Sequence, residues 1–169
     1  MINIRAQFSK FISRWSSSED GVAAVEAALI FPILLTLLLG VFDMGNGILA
    51  NQKAIRASQI VADLITRERT VNATDINEAI EGGRLAFETM TSDTYGVDIV
   101  SIRFDDDAVP EIVWRETRNM TPMVDVLDRV ESMAEENNGV VVVSVKYNFE
   151  PLFAGFVVNE IPMQEIAFA

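Results

Sequence analysis

Sixteen consecutive residues without a charge, Ala27 to Phe42 (AALIFPILLTLLLGVF), constrain this chain more than any other feature. Val22 to Val25 extend the run towards the N-terminus, with Glu26 as the one ionisable group inside it. As a helix rising 1.5 Å per residue, Val22 to Phe42 measures about 31 Å, the thickness of a hydrocarbon core. A buried core helix is the alternative, but the length and the density of leucine favour a membrane span. The run also explains how a chain with 22% charged residues reaches 50% hydrophobic residues.

The flanks set an orientation. Residues 1–20 carry Arg5, Lys10 and Arg14 against Glu19 and Asp20, a net +1, so the remaining residues hold −13 of the total −12. By the positive-inside rule the basic end stays in the cytoplasm and the acidic remainder crosses, with Phe11 and Trp15 at headgroup level. The start resembles a secretory signal, but no A-x-A-like site follows the apolar run, so the run is expected to be retained.

Glu26 does not suit a passive anchor, because a carboxylate in hydrocarbon is costly unless it is paired or near water. One reading lets it snorkel to the cytoplasmic headgroups. The other requires a cation, and no Lys or Arg lies between positions 15 and 52. Cleavage after Gly21 would create one: the α-amine of Val22, four residues from Glu26, on the same chain or a neighbouring subunit.

The string Gly21-Val22-Ala23-Ala24-Val25-Glu26, then Ala27-Ala28-Leu29-Ile30-Phe31-Pro32 and a leucine-rich run into Gly40-Val41-Phe42-Asp43, resembles the N-terminus of the TadE-like family. These are pseudopilins of the tight adherence (Tad/Flp) pilus system. The resemblance implies a class III type IV prepilin signal with Gly21 and Val22 flanking the processing site, and Glu26 at the fifth mature position as the subunit-assembly residue. It implies a pilin-like fold and an inner-membrane protein whose head lies in the periplasm. It also implies four kinds of partner: the major pilin, other pseudopilins, a prepilin peptidase and the pilus assembly platform. Ala27 stands where members usually carry an aromatic residue, and Asp43-Met44 where many have Glu-Phe.

Three further residues suggest a bend. Pro32 lacks an N–H and its ring crowds the carbonyl of residue 28, which predicts a kink. Gly40 and Gly45, with Gly47, each lower helix stability by roughly 0.8–1.0 kcal/mol relative to alanine. They serve either close helix packing or a soft joint.

The expected organisation is a leader over 1–21, a span over 22–43, and a periplasmic α+β domain over 44–169 whose first helix, 44–67, continues the span. Ile48, Ile55, Val61, Leu64 and Ile65 recur at helical spacing and predict the apolar stripe of that helix. Glu68 to Asn72 breaks it. Thr74 is an expected N-cap for a second helix with contacts from Ile76, Ile80, Leu85, Phe87 and Met90, interrupted at Gly82-Gly83. The sequon Asn72-Ala73-Thr74 reads as a helix cap before a glycan site. Val97–Phe104 and Glu111–Thr117 predict a hairpin around Asp105-Asp106-Asp107, with Ile112 and Trp114 on one face. Pro122–Glu136 predicts a helix, Val140–Phe149 a strand, Pro151–Val158 an apolar connector and Ile161–Phe168 a final strand. This order implies an antiparallel sheet packed on helices, an α+β fold.

Chemistry is constrained from the other side. With no cysteine and no histidine, thiol catalysis, Cys/His metal sites and Ser–His–Asp triads are excluded. Asp105–Asp107 lacks the spacing of a calcium loop, no phosphate-binding glycine loop is present, and a charge of −12 repels nucleic acid. We therefore expect no catalytic, cofactor or metal residues, no nucleic-acid partner, and a structural protein rather than an enzyme. The other class in contention is a single-pass anchored periplasmic binding or sensor domain with no pilus role.

Overall fold

The computed structural model describes residues 19–87, 90, 93–155 and 159–169. Arg5, Lys10, Arg14, Phe11 and Trp15 lie outside the described residues, as do residues 156–158 of the apolar connector. The chain divides into two compact units, residues 1–43 and 44–169. The first contributes the N-terminal part of helix α1 (Glu19–Arg67), and the second holds the rest of that helix and all other elements. In order these are α2 (Ala73–Leu85), β1 (Gly96–Phe104), β2 (Pro110–Arg118), α3 (Val126–Val130) with a 3-10 turn over Glu131–Met133, β3 (Gly139–Phe149) and β4 (Ile161–Phe168).

The strands form one antiparallel sheet in the order β2-β1-β3-β4, so the fold is α+β, as the alternating β-branched segments imply. Helices cover one face. Val97, Ile99, Val143, Val145, Tyr147 and Phe149 meet α1 through Ala50, Ala54, Ala57, Val61, Ala62 and Ile65. Phe87 stacks on Tyr147 with ring centroids 4.5 Å apart, an offset pair of the favoured kind. The opposite face, Val100, Ile102, Phe104 and Val142, packs under Met123, Val126 and Val130.

The stripe that α1 buries differs from the expected one. Ile48, Ile55 and Leu64 are exposed, and alanines with Ser58 take the buried positions. Close approach is the reason. A Cβ at Gly83 of α2 would lie 2.6 Å from Val61 Cγ2 and 3.3 Å from the Ala57 carbonyl, so the two helices cross at small residues. Gly82-Gly83 therefore does not interrupt α2; it permits the crossing.

Three other local expectations are corrected. The N-cap of α2 is Asn72, not Thr74: Asn72 Oδ1 accepts the N–H groups of Thr74 (2.8 Å) and Asp75 (3.2 Å), and Asp75 Oδ2 accepts from Asn72 N (2.9 Å). This is a reciprocal capping box. Leu85, the last residue of α2, is exposed rather than packed. The β1–β2 register shifts so that Ser101 faces Trp114 while Ile102 faces Ile112. Val113 is the extra residue of a β-bulge. Directly paired residues share a face, so Trp114 joins the helix-covered cluster and Ile112 goes to the face of Ile102.

The helix expected over Pro122–Glu136 shrinks to α3 and its 3-10 turn. The Met123 carbonyl accepts Arg115 Nη2 at 2.8 Å, and the first α-helical bond there is Arg129 N to Asp125 O, 3.2 Å. Val124 is left 96% exposed. At the β1–β2 turn, Asp105 Oδ1 accepts the N–H groups of Asp107 (2.9 Å) and Val109 (2.8 Å), so the acidic triplet closes its own turn.

Candidate membrane and assembly helix

Residues 22–42 of α1 expose every side chain except that of Leu39, which is half-buried. Among the described residues this is the one helix long and apolar enough to cross a membrane, with a mean hydropathy of 2.5 over its best window and none of that window buried. A core helix would hide its leucines; here Leu29, Leu34, Leu37 and Leu38 are all open. Exposed leucine on all sides is unfavourable in water and favourable in lipid.

The Gly21–Val22 bond lies near the N-terminal end of the described stretch of α1, Glu19–Arg67. Gly21 itself is buried. Val22 and Glu26 are both exposed and stand at i and i+4, neighbours on one helix face.

Pro32 sits inside α1. It has no N–H to give the Ala28 carbonyl, while its own carbonyl takes an extra bond from Thr36 Oγ1 at 2.8 Å. Such back-bonding satisfies polar groups locally and tends to bend helices.

The three glycines separate into two kinds. A Cβ at Gly40 or Gly45 would meet nothing within 4 Å. A Cβ at Gly47 would come within 3.4 Å of Phe149 Cε1 and 3.9 Å of Met163 Cε. Gly47 is thus a packing residue that seats α1 against the ends of β3 and β4, whereas no neighbour among the described residues requires glycine at 40 or 45. Asp43 is buried.

Sequence reasoning missed the head's principal polar knot. The Asp98 side chain is fully buried on β1, and it pairs with Arg115 of β2, whose side chain is 24% exposed. Arg115 Nε donates to Asp98 Oδ1 at 2.9 Å, Thr117 Oγ1 donates to the same oxygen at 2.6 Å, and Met123 N donates to Oδ2 at 2.9 Å. Burial alone would push the Asp98 carboxyl up; the bonds from Arg115, Thr117 and Met123 outweigh it and hold the group below the usual carboxylate range. The signal was faint: one Asp among the apolar residues Val97, Ile99 and Val100 of β1. No cluster of metal-binding side chains occurs among the described residues.

Residues 21–63 match the family model described as TadE-like protein, the stretch that carries the resemblance noted in the sequence. The chain has no match among curated proteins or solved structures. A TadE-like segment on a membrane-anchor-like helix implies a Tad pilus-associated protein, and the family is structural rather than enzymatic.

Proposed function

With residues 21–63 TadE-like as the premise, we propose that this chain is a minor pseudopilin of a Tad/Flp-type pilus. It is held in the bacterial inner membrane by residues 22–43 and presents residues 44–169 to the periplasm. A prepilin peptidase cleaves the leader after Gly21. The mature subunit, beginning at Val22, then associates with the major pilin and other pseudopilins through the apolar helix and takes part in pilus assembly and surface adherence. Pro32, Gly40 and Gly45 let the helix flex as it leaves the bilayer.

The coincidence of the family match with an exposed apolar helix carrying a single carboxylate carries this reading. In hydrocarbon Glu26 needs a partner charge, and the α-amine released by cleavage at Val22 supplies one on an adjoining subunit. A water-shielded pair of that kind sets register as well as attraction. The test is the N-terminal mass of the chain purified from membranes. Mature protein starting at Val22 supports the pseudopilin; an intact Met1 on the assembled protein overturns it and favours the anchored binding or sensor domain.

A further inference from the structure

We propose that Leu152 and Phe153, just after β3, form a second membrane contact, resting in the headgroup layer on the same side as the head. The inference rests on residues 22–42 being a span. It concerns lipid as the partner, and the position of these two residues relative to the last apolar residue of α1 carries it.

The end of the sheet that holds them is tied to one short stretch of α1. Gly47 abuts Phe149 and Met163, and Asn46 lines a cleft of about 420 Å³ together with Phe149, Pro151 and Leu152. Asn46 follows Phe42, the last residue of the apolar run, by only four positions. On a helix that is about 6 Å, and even a fully extended chain covers no more than about 14 Å. The headgroup layer beyond the hydrocarbon is about 5–8 Å deep. Whatever angle the head takes, Asn46 stays within about 14 Å of the end of the apolar run, at or just beyond the headgroup layer.

The side chains there suit that position. Leu152 is 72% exposed, and Phe153 and Ile161 are 40% exposed. Met44, Ile48 and Leu49 of α1 are open at the same level. Single exposed apolar residues are ordinary on soluble surfaces, but these gather at the end of the sheet that Asn46 and Gly47 of α1 hold. Leucine and phenylalanine gain by entering the acyl boundary, as on interfacial helices. The nearby carboxylates, exposed Glu150 and Glu160, which accepts Asn148 Nδ2 at 2.9 Å, oppose anionic lipid. The contact is therefore with neutral or zwitterionic headgroups.

The absence of cysteine makes the test direct. The full chain is reconstituted in phosphatidylcholine bilayers as Leu152→Cys, Phe153→Cys, Leu37→Cys and Asp106→Cys, each carrying one nitroxide label. The relative access of oxygen and a water-soluble nickel chelate gives depth. Leu37→Cys reports the span, and Asp106→Cys, at the opposite end of the sheet, reports water. We expect oxygen to prevail strongly at 37, moderately at 152 and 153, and nickel to prevail at 106. Nickel prevailing at 152 and 153 with 37 deep overturns the lipid contact and leaves the span standing. Nickel prevailing at 37 overturns the span, and the contact with it.

Discussion

Asp98 and Arg115 lie diagonally across the β1–β2 pair and hold a third segment in place. Arg115 Nε reaches Asp98 Oδ1 at 2.9 Å while its Nη2 donates to the Met123 carbonyl at 2.8 Å, and the Met123 N–H returns to Asp98 Oδ2 at 2.9 Å. Strand β1, strand β2 and the loop leading to α3 are thereby locked by one carboxylate. Met123, buried beside Val126 and Val130, is positioned by charge as much as by packing.

Replacing that carboxylate should therefore loosen the face that α3 covers. Asp98→Asn leaves a guanidinium with too few acceptors and puts an amide N–H₂ near the Met123 N–H. Removing one partner of a buried pair costs about 3–5 kcal/mol; partial exposure of Arg115 places this case near about 3. Denaturant unfolding of the full chain in detergent, followed by Trp114 fluorescence, measures the loss. A change below about 0.5 kcal/mol would show the knot to be energetically idle.

The same pair predicts an acid dependence. The folded Asp98 titrates below its unfolded value of about 3.9. Its contribution is complete above that pH and disappears as pH falls through the lowered folded value. The gap in thermal midpoint between the wild type and Asp98→Asn should hold steady above about pH 5 and narrow below about pH 4. A gap that stays constant down to pH 2 assigns the effect of the substitution to shape alone.

Gly83 and Gly45 should respond oppositely to alanine. At Gly83 the new Cβ meets the Tyr95 hydroxyl at 2.5 Å and Val61 Cγ2 at 2.6 Å. Overpacking of about 2–3 kcal/mol outweighs a helix gain of about 1 kcal/mol. At Gly45 nothing lies in the way, so Gly45→Ala should stabilise α1 by up to about 1 kcal/mol. If Gly40 and Gly45 are the soft joint proposed above, the stabler Gly40→Ala/Gly45→Ala chain supports fewer pili at equal membrane abundance. Unchanged piliation would dismiss the joint.

Glu26→Gln keeps shape and removes charge. We expect normal membrane levels by blot, loss of cross-linking to partner pilins, and no pili recovered by shearing. Gly21→Ala or a bulkier change should block processing, read as retention of the leader by mass. Normal piliation with Glu26→Gln would reduce Glu26 to a residue at headgroup level without a role in assembly.

Legibility varied with how local the determinants are. Ile161–Phe168 came out with its bounds unchanged, and β3 and β1 each gained one residue, a glycine, at their N-terminal ends. Alternating β-branched residues between turn formers specify a strand without outside help. The long apolar helix was equally plain, since sixteen uncharged residues in a row suit a continuous helix. Most of the misses depend on something distant in sequence. Val113 bulges out of β2 against β1, and this sends Ile112 and Trp114 to opposite faces. The alanines of α1 are buried because glycines of α2 arrive there. The helix over Pro122–Glu136 is shortened where Arg115 holds the Met123 carbonyl. Asn72 outcompeted Thr74 as cap because Asp75 could reciprocate, a three-residue pattern available to reading but not taken. At the candidate site, Gly21 and Glu26 were recognised through resemblance, whereas the contrast between Gly45 and Gly47 requires coordinates.

The bulge at Val113 also limits how heads can meet one another. Strand β2 forms one border of the sheet, and there Pro110, the bulge, and the charges of Glu111, Glu116 and Arg118 spoil any regular ladder. Strand β4 forms the other border, where Glu165 is the single charge and Pro162 removes one N–H near its start. A sheet whose β2 border is spoiled can add a second copy only through β4, border to border, and then offers nothing further to extend. For heads tethered in a bilayer as proposed above, that arithmetic ends strand addition at a pair and disfavours an endless ribbon. Any longer array must be built through the stems.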